Sequence, residues 1–405
     1  MTQIIKTILL AGFTSFFAFA LIQFPDQSLE ASIRGLNIWW ESVFPALLPF
    51  FIAAELLTGF GVVKFLGVLS EPVMRPLFNV PGAGSFGWVM GMASGYPTGA
   101  KIAARLREEE QLTRIEAERL VSFTNASSPL FIFGAVSIGF FHDAALGVLL
   151  GVCHYLGNAL VGIIMRFYRR KEERLTKDEL HKERRKPSII TAFKEMHQTR
   201  LNDERPFGEI LGDAVLNSIK TLIMVGGFII LFSVLNKLLF LTGLSDFASL
   251  VVEQLLVLLM LPAEMALPFF SGLFEITIGA QMISQISSST LLPQAILVSF
   301  ILGFNGLSVQ AQVASILAKT DIRFTPYLFA RILHGILAAI LTIILFKPLY
   351  LDQQTSELGE TPVFKEESPN FWMTVLETLS QAGPLITLFS LGTAALIILR
   401  RQSLR

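Results

Sequence analysis

The segment that decides the fold lies at residues 94–101 and reads Ser94-Gly95-Tyr96-Pro97-Thr98-Gly99-Ala100-Lys101. Glycine recurs at every fourth position before and within this segment, at Gly87, Gly91, Gly95 and Gly99. On a helix these glycines share one face and allow another backbone to approach closely. Pro97 offers no backbone donor, and glycine tolerates irregular dihedral angles, so the helix is predicted to break here. Inside a membrane such a break is tolerated only beside protein or a water-filled cavity.

The composition of the whole chain is that of a membrane protein. Its 405 residues are 52% hydrophobic and 16% charged, with a mean hydropathy of +0.60, whereas globular chains carry roughly 25% charge. The formal net charge of zero gives no support to nucleic-acid binding. The single cysteine, Cys153, excludes a disulfide framework and a thiolate metal cluster.

Apolar stretches long enough to cross ~30 Å of hydrocarbon recur along the chain. They lie at 7–24, 43–63, 120–140, 144–165, 211–241, 291–313, 326–347 and 384–400. Two further apolar segments, 80–104 and 249–288, are interrupted by Pro and Gly and are predicted to be re-entrant. The first stretch is predicted to stay uncleaved, because no small-residue cleavage site precedes Pro25.

The distribution of charge predicts the orientation. Residues 166–206 hold 13 Lys or Arg and 8 Asp or Glu, and basic residues also cluster at 101–119 and at the C-terminus. Positive charge favours the cytoplasmic side, so these segments and both termini are predicted to be cytoplasmic. Residues 351–369 hold five acidic residues and one Lys, and are predicted to face outward.

An internal repeat appears when the chain is compared with itself at an offset of 180 residues. The matches are Asn37 with Asn217, Gly99-Ala100-Lys101 with Gly279-Ala280-Gln281, Asn125 with Asn305, Ser128 with Ser308, and His154 with His334. By the predicted spans, Asn37 begins its copy outside and Asn217 begins its copy inside, so the copies are predicted to be inverted. Inverted repeats are a recurring basis of alternating access in secondary transporters, which bind substrate between the repeats.

The first break is predicted to favour an anion. A half-helix that begins near Thr98 directs its positive end at the break, and Lys101 in its first turn adds a full positive charge. The alternative is that the glycine face packs against a neighbouring helix while Lys101 reaches to the cytoplasm.

The second copy places an acid at the equivalent break. It reads Phe274-Glu275-Ile276-Thr277-Ile278-Gly279-Ala280-Gln281, with Glu275 at the position of Gly95. A carboxylate inside an apolar segment is costly and is usually functional or paired. Three interpretations stay open, in which Glu275 is a partner for Lys101, a proton carrier or a helix-end residue. With Gln281 in place of Lys101, only one side is strongly cationic.

Polar residues beside the spans form a second matched pair of segments. They are Ser122-Phe123-Thr124-Asn125-Ala126-Ser127-Ser128-Pro129 and Asn305-Gly306-Leu307-Ser308-Val309-Gln310. Their amides and hydroxyls are predicted to line a cavity or, alternatively, to bond one another across helices. His154 and His334 lack further ligands at metal spacing, which favours interhelical hydrogen bonds. The G-x-G-x-x-G match at 82–87 has no preceding strand and is rejected as a dinucleotide site.

Two stretches of the sequence are distinctive. They are Met92-Ala93-Ser94-Gly95-Tyr96-Pro97-Thr98-Gly99-Ala100-Lys101 and Phe123-Thr124-Asn125-Ala126-Ser127-Ser128-Pro129-Leu130-Phe131-Ile132-Phe133-Gly134. Over roughly residues 37–347 the chain resembles the YlbJ sporulation integral membrane proteins, also called stage V sporulation protein V. This resemblance implies a nucleoside-recognition "gate" fold, similar to half of a concentrative nucleoside transporter. It also implies that the chain is a multi-pass protein of the outer forespore membrane. There it would move dipicolinic acid out of the mother cell.

The predicted fold is therefore an all-α polytopic membrane protein with two inverted-topology repeats, each with a re-entrant broken helix segment, resembling the nucleoside transporter gate-domain fold. The predicted domains are an N-terminal transmembrane helix at 1–30, a first repeat at 37–165, a charged cytoplasmic linker at 166–208, a second repeat at 209–347, an acidic extracytoplasmic loop at 348–382 and a C-terminal transmembrane helix at 383–405.

The predicted function is transport of a small organic anion, and the resemblance implies that this anion is dipicolinate. The predicted partners are this substrate and the lipid bilayer. The predicted substrate-binding residues are Tyr96, Thr98, Gly99, Lys101, Asn125, Ser127, Ser128, Glu275, Thr277, Gln281, Asn305 and Ser308. No catalytic residue, cofactor or metal is predicted, because no nucleophile–base pair or ligand set can be assembled. The alternatives are a nucleoside or nucleobase transporter and a sporulation scaffold that transports nothing.

Overall fold

Proline, glycine and polar residues divide the apolar chain into helices of unequal length. The computed structural model describes residues 2–170, 172, 188–203 and 205–352, and the regular elements among them are helical. In chain order the α-helices are α1 (Thr2–Gln23), α2 (Pro25–Asn37), α3 (Phe44–Gly59), α4 (Val62–Phe78), α5 (Gly84–Ser94), α6 (Thr98–Glu108), α7 (Arg114–Thr124), α8 (Ala144–Met165), α9 (Ile189–Asn202), α10 (Phe207–Leu241), α11 (Leu244–Leu258), α12 (Ala266–Phe274), α13 (Ile276–Ser284), α14 (Leu291–Phe304), α15 (Gly306–Leu317) and α16 (Phe324–Phe346). Wider π-helical stretches occur at Ile38–Val43, Leu130–Phe140 and Lys347–Leu351.

Several of these elements are long and apolar enough to cross a bilayer. The spans are Ala144–Met165, Phe207–Leu241, Leu291–Leu317 and Phe324–Leu351. The segments Leu47–Gly59 and Val62–Phe78 form a further candidate that is bent by 82°. Gly61 lies at the bend with a φ of +77°, a conformation that glycine adopts without strain. The predicted class, an all-α polytopic membrane protein, is confirmed.

The predicted span at 120–140 is wrong as a continuous helix. Helix α7 ends at Thr124, and helical structure resumes at Leu130. The intervening residues Asn125-Ala126-Ser127-Ser128-Pro129 end the helix because their side chains compete for backbone bonds and Pro129 cannot donate one. Both interruptions that the sequence does predict, within 80–104 and 249–288, are present as the gaps between α5 and α6 and between α12 and α13.

Helix ends recur at the offset seen in the sequence. Helix α7 ends at Thr124 and α14 at Phe304, while α8 begins at Ala144 and α16 at Phe324. Helices α8 and α16 pack antiparallel, because Tyr350 beyond α16 bonds to Asp143, which precedes α8. The opposite orientation of the two copies in a bilayer stays a prediction.

One end of the bundle carries ion pairs between elements that are distant in sequence. Arg75 of α4 contacts the fully buried Glu116 of α7 at 2.7 Å. The Arg107 guanidinium bonds both carboxylate oxygens of Asp321 at 2.9 Å, which joins α6 to the turn between α15 and α16. This hydrogen-bonded guanidinium holds the pKa of Asp321 below its ordinary value.

Some predicted domains fall partly or wholly outside the described residues. The linker at 166–208 contains α9, whose Phe193 contacts Phe65 of α4 with ring centroids 4.9 Å apart. Most of the acidic loop at 348–382 and the whole C-terminal helix at 383–405 lie outside the described residues. In the N-terminal segment at 1–30, α1 ends at Gln23 and α2 begins at Pro25.

Candidate functional site

The first helix break lies between α5 and α6. Gly95 has a φ of +83°, and a Cβ there would lie 3.1 Å from the backbone nitrogen of Ser128. A Cβ on Gly91 or on Gly99 would overlap the carbonyl oxygen of Thr124 at the end of α7. The glycine face predicted from the four-residue spacing therefore packs against the end of α7.

The second break lies between α12 and α13, at Glu275. This residue is extended, and its carboxylate accepts a 2.8 Å bond from the backbone nitrogen of Ile278 and a 3.2 Å bond from the Thr277 hydroxyl. The carboxylate thereby caps the first turn of α13, where the helix dipole favours negative charge. Only 7% of Glu275 is exposed. Of the three interpretations, the helix-end role matches these contacts.

Both breaks meet at one cavity of about 460 Å³. Five of the predicted site residues lie in its wall, namely Tyr96, Ser128, Glu275, Thr277 and Ser308. The cavity is therefore lined by the break of each copy and by the segments that follow α7 and its counterpart α14. Apolar side chains of the π-helical stretches and α10, among them Phe131, Val225 and Ile229, complete it.

The wall also contains polar residues that were not predicted. They are Glu41, Ser94 and Gln312. Gln312 is an amide inside an apolar helix, a signal that could have been used, whereas Glu41 lies in the π-helical stretch before α3. A second cavity of about 420 Å³ shares Ile38 and Glu41 with the first, and also contacts Glu30 and Arg34. Because the two cavities share these wall residues, we call the second one the mouth of the cavity between the breaks.

Lys101 lies outside the wall of this cavity, contrary to the prediction of a cation at the break. Its ammonium contacts a carboxylate oxygen of Glu55 on α3 at 2.8 Å and lies 5.3 Å from the centroid of the Phe51 ring. The physical reason is that Lys101 lies on a face of α6 whose side chains reach Glu55 and Phe51 of α3. A Lys101–Glu275 pair, one of the interpretations of Glu275, is not formed.

Three other predicted residues of the α6 and α13 turns also lie outside the wall. Thr98 is 1% exposed and lies with Lys101 beside a small separate cavity. Gly99 packs on Thr124, and Gln281 is exposed. Fewer of the predicted residues therefore line the cavity than the sequence predicts.

Asn125 and Asn305 contact each other inside the protein. The Asn305 amide donates to the Asn125 carbonyl at 3.1 Å, and both amides lie within 3.3 Å of the Tyr327 hydroxyl. Both asparagines are fully buried. Bonding across helices, the second interpretation of these residues, agrees with the contacts, whereas neither lines the cavity.

A fully buried arginine organises the same region. The Arg331 guanidinium of α16 donates to the carbonyl of Asn125 at 2.9 Å, to the carbonyl of Ser122, and to the Asn158 side chain at 3.2 Å. Asn158 of α8 in turn donates to the carbonyl of Phe123. These bonds satisfy carbonyls that the end of α7 leaves open.

The two histidines hold the segment after α7. His154 accepts the backbone proton of Ser127 at 2.9 Å, and the Ser127 hydroxyl donates to Tyr96 at 2.8 Å. His334 lies 2.8 Å from the His154 carbonyl through one ring nitrogen and 3.0 Å from Arg331 through the other. Ser127 therefore positions Tyr96 at the cavity rather than lining it, and the histidines bond between helices as predicted.

Comparison with known proteins places this geometry in context. The Gate family, described as nucleoside recognition, matches residues 40–141. The sporulation integral membrane protein YlbJ of Bacillus subtilis (strain 168) is 52% identical over 401 residues, covering 97% of this chain and 96% of that protein. A solved structure of CNTnw in an outward-facing state is similar with a TM-score of 0.40 and 12% identity, over 86% of this chain and 84% of that one. The Gate match contains the first break but not Glu275.

Proposed function

Because the chain belongs to the family of the sporulation integral membrane protein YlbJ, we propose that it transports a small organic solute across the membrane that holds it. The observation that carries the proposal is the cavity of about 460 Å³ at which both helix breaks meet. Helix breaks at membrane depth are costly, and they are tolerated where they are buried in protein or line a water-filled cavity. In secondary transporters, broken helices form the substrate site. A scaffold without a solute would need neither the breaks nor the cavity.

Dipicolinate is the substrate that the family resemblance implies, moving from the mother cell across the outer forespore membrane. It is small and planar, and its carboxylates accept hydrogen bonds. The cavity presents hydroxyl and amide groups that can donate them, from Tyr96, Ser128, Ser308 and Gln312. These donors support binding of a flat polar solute where water is scarce.

The charge of the cavity wall sets a condition on an anionic substrate. Among the described residues no Lys or Arg lines this cavity, whereas Glu41 and Glu275 do. Repulsion between a dianion and an ionised Glu275 would be strong at such low exposure. We therefore expect dipicolinate to bind with Glu275 protonated, so that a proton accompanies the anion.

A nucleoside is the second candidate substrate, and the same carboxylate favours it. An ionised Glu275 accepts hydrogen bonds from neutral hydroxyl groups, as a ribose provides, and needs no cation in the wall. The Gate family, described as nucleoside recognition, covers the first break. The two candidates therefore differ in the protonation state of Glu275 that binding requires.

The test is uptake of dipicolinate and of uridine by proteoliposomes that contain the full chain, at a series of pH values. If dipicolinate is the substrate, its uptake rises as the pH falls, and Glu275→Gln makes uptake independent of pH. If a nucleoside is the substrate, Glu275→Gln lowers uridine uptake at least about tenfold, as expected for loss of a hydrogen bond to a charged group. Glu253→Gln on α11 is the matched control and leaves both rates unchanged.

The outcomes separate the candidates. Uridine uptake without dipicolinate uptake would replace the first candidate with the second. Uptake of neither solute by the wild-type chain would refute transport of both and favour the scaffold. In a spore-forming host, dipicolinate made but retained in the mother cell of a strain that lacks the protein would support the proposal in cells.

A further inference from the structure

A third large cavity lies next to the cavity between the breaks, along the same helices. Its volume is about 510 Å³, and we call it the vestibule. Helix α10 contributes Val225 and Ile229 to the first cavity and Lys220 and Thr221 to the vestibule. Helix α15 and its C-terminal end likewise reach both cavities. The two cavities are therefore stacked along the same elements.

The side chains between the two cavities form an apolar barrier. Leu47, Phe51 and Leu222 pack together and are 9%, 1% and 0% exposed. Leu47 lines the cavity between the breaks, while Phe51 lies beneath Lys101 on the side of the vestibule. The vestibule is thus separate from the cavity that the proposed function uses.

The vestibule differs from the first cavity in the sign of its charge. Four cations line it, namely Lys101, Arg105, Lys220 and Lys319, against the three carboxylates Glu55, Glu108 and Glu109. In the cavity between the breaks the charged wall residues are Glu41 and Glu275. An anion is therefore favoured in the vestibule and disfavoured beyond the barrier.

Two of the vestibule cations are already engaged. One carboxylate, Glu55, contacts the Lys101 ammonium at 2.8 Å and the Arg105 guanidinium at 2.6 Å. Arg105 also contacts Glu109 at 2.8 Å. Two carboxylates thus balance these two cations, so the unbalanced positive charge of the vestibule comes from its other two cations.

The other two cations, Lys220 and Lys319, are exposed to the vestibule. No carboxylate among the described residues forms an ion pair with either of them. They come from different elements, since Lys220 lies on α10 and Lys319 follows the end of α15. Two ammonium groups on separate elements suit a ligand that carries two separate negative groups.

We propose that the vestibule is a capture site for a small dicarboxylate, which Lys220 and Lys319 contact first, with Lys101 and Arg105 beyond them. The proposal rests on the transport of an organic anion proposed above and adds a second binding site to it. The vestibule lies on the side of Arg105, which the distribution of basic residues predicts to be cytoplasmic. It would concentrate the anion beside the barrier before the anion enters the acidic cavity.

The test is equilibrium binding of dipicolinate to the purified full chain in nanodiscs of phosphatidylcholine, by calorimetry at several salt concentrations. The vestibule site is expected to weaken with salt, because its cations are exposed. The double variant Lys220→Gln and Lys319→Gln should raise the Kd of this site at least about tenfold, as the loss of two charge contacts predicts. The double variant with Arg at both positions should restore binding.

Two matched variants locate the site. Lys194→Gln removes an exposed lysine from α9, outside the vestibule, and should leave the Kd unchanged. Glu275→Gln alters the cavity between the breaks and should leave the salt-sensitive site intact. Unchanged dipicolinate binding in the Lys220→Gln and Lys319→Gln double variant would overturn the proposal. So would loss of the site on adding anionic lipid at low ionic strength, since a headgroup would then be its occupant.

The outcomes are distinct from those of the transport experiment. A salt-sensitive dipicolinate site that depends on Lys220 and Lys319, in a chain that moves no dipicolinate, would support the vestibule and refute dipicolinate transport. Dipicolinate uptake with unchanged affinity in the double variant would support transport and refute the vestibule.

Discussion

Arg331 brings a full positive charge into a region with no exposed surface. Its guanidinium reaches two carbonyls at the end of α7, those of Ser122 and Asn125, together with the Asn158 side chain. A planar guanidinium can donate in several fixed directions at once, whereas an ammonium acts as a point charge. Arg331→Lys should therefore lower the free energy of unfolding by about 1–3 kcal/mol, since buried carbonyls lose their donors.

The measurement for Arg331→Lys is the apparent melting temperature of the purified protein in detergent. Arg323→Lys, an exposed position just before the same helix, is the control and should melt like the wild type. Equal melting temperatures for the two variants would contradict the bracing role of Arg331.

The role of a side chain can be predicted where the sequence shows both its chemical type and its position relative to a helix break. Glu275 stands out because it is an acid at the position of a helix break, and it lies in the cavity wall. Lys101 was misplaced because its partner Glu55 lies on another helix, and local sequence does not reveal which face of α6 meets α3. Arg331 is a lone arginine inside an apolar span, and such a residue is itself a signal of a functional or paired site.

At the scale of elements, the approach of α5 and α6 to α7 depends on glycine. A Cβ on Gly99 would overlap the Thr124 carbonyl oxygen, whereas a Cβ on Gly227 of α10 has no atom within 4 Å. Gly99→Ala should destabilise the protein by about 1–3 kcal/mol through overpacking. Gly227→Ala should be neutral or stabilising by up to about 1 kcal/mol, because alanine favours the helix.

The measurement is the apparent melting temperature of the two alanine variants, compared with that of the wild type. A Gly99→Ala protein that melts like Gly227→Ala would show that α6 moves away from α7 without cost. Lower uptake by Gly99→Ala at matched stability would instead indicate a displaced break.

The breaks themselves were predictable at this scale, and the continuity of one span was not. Pro97 and the glycines around it end a helix for local reasons, so the gap between α5 and α6 follows from the sequence. The polar run at 125–129 disfavours a helix locally, and partners on α8 and α16 satisfy the backbone that the interruption frees. Those partners are distant in sequence, and hydropathy alone therefore predicted one helix.

At the scale of the whole molecule, the two stacked cavities differ in their connection to the surroundings. The cavity between the breaks shares Ile38 and Glu41 with its mouth, while Leu47, Phe51 and Leu222 close it from the vestibule. In the alternating access of secondary transporters, a barrier on one side of the site opens when the barrier on the other side closes. Under the transport proposed above, the structure is the conformation open toward the mouth.

This conformation predicts one-sided access to the cavity, which a single cysteine can report. The chain has one cysteine, Cys153, which is fully buried and can be replaced by serine. In that background, Ser128→Cys should react with a membrane-impermeant maleimide applied on the side of the mouth and not on the side of the vestibule. Phe51→Ala should add reaction from the vestibule side, because it removes the largest side chain of the barrier.

Asn202→Cys at the exposed end of α9 is the control, and it reports the side opposite the mouth in the same vesicles. Equal labelling of Ser128→Cys from both sides before Phe51 is changed would show that the apolar cluster does not separate the cavities.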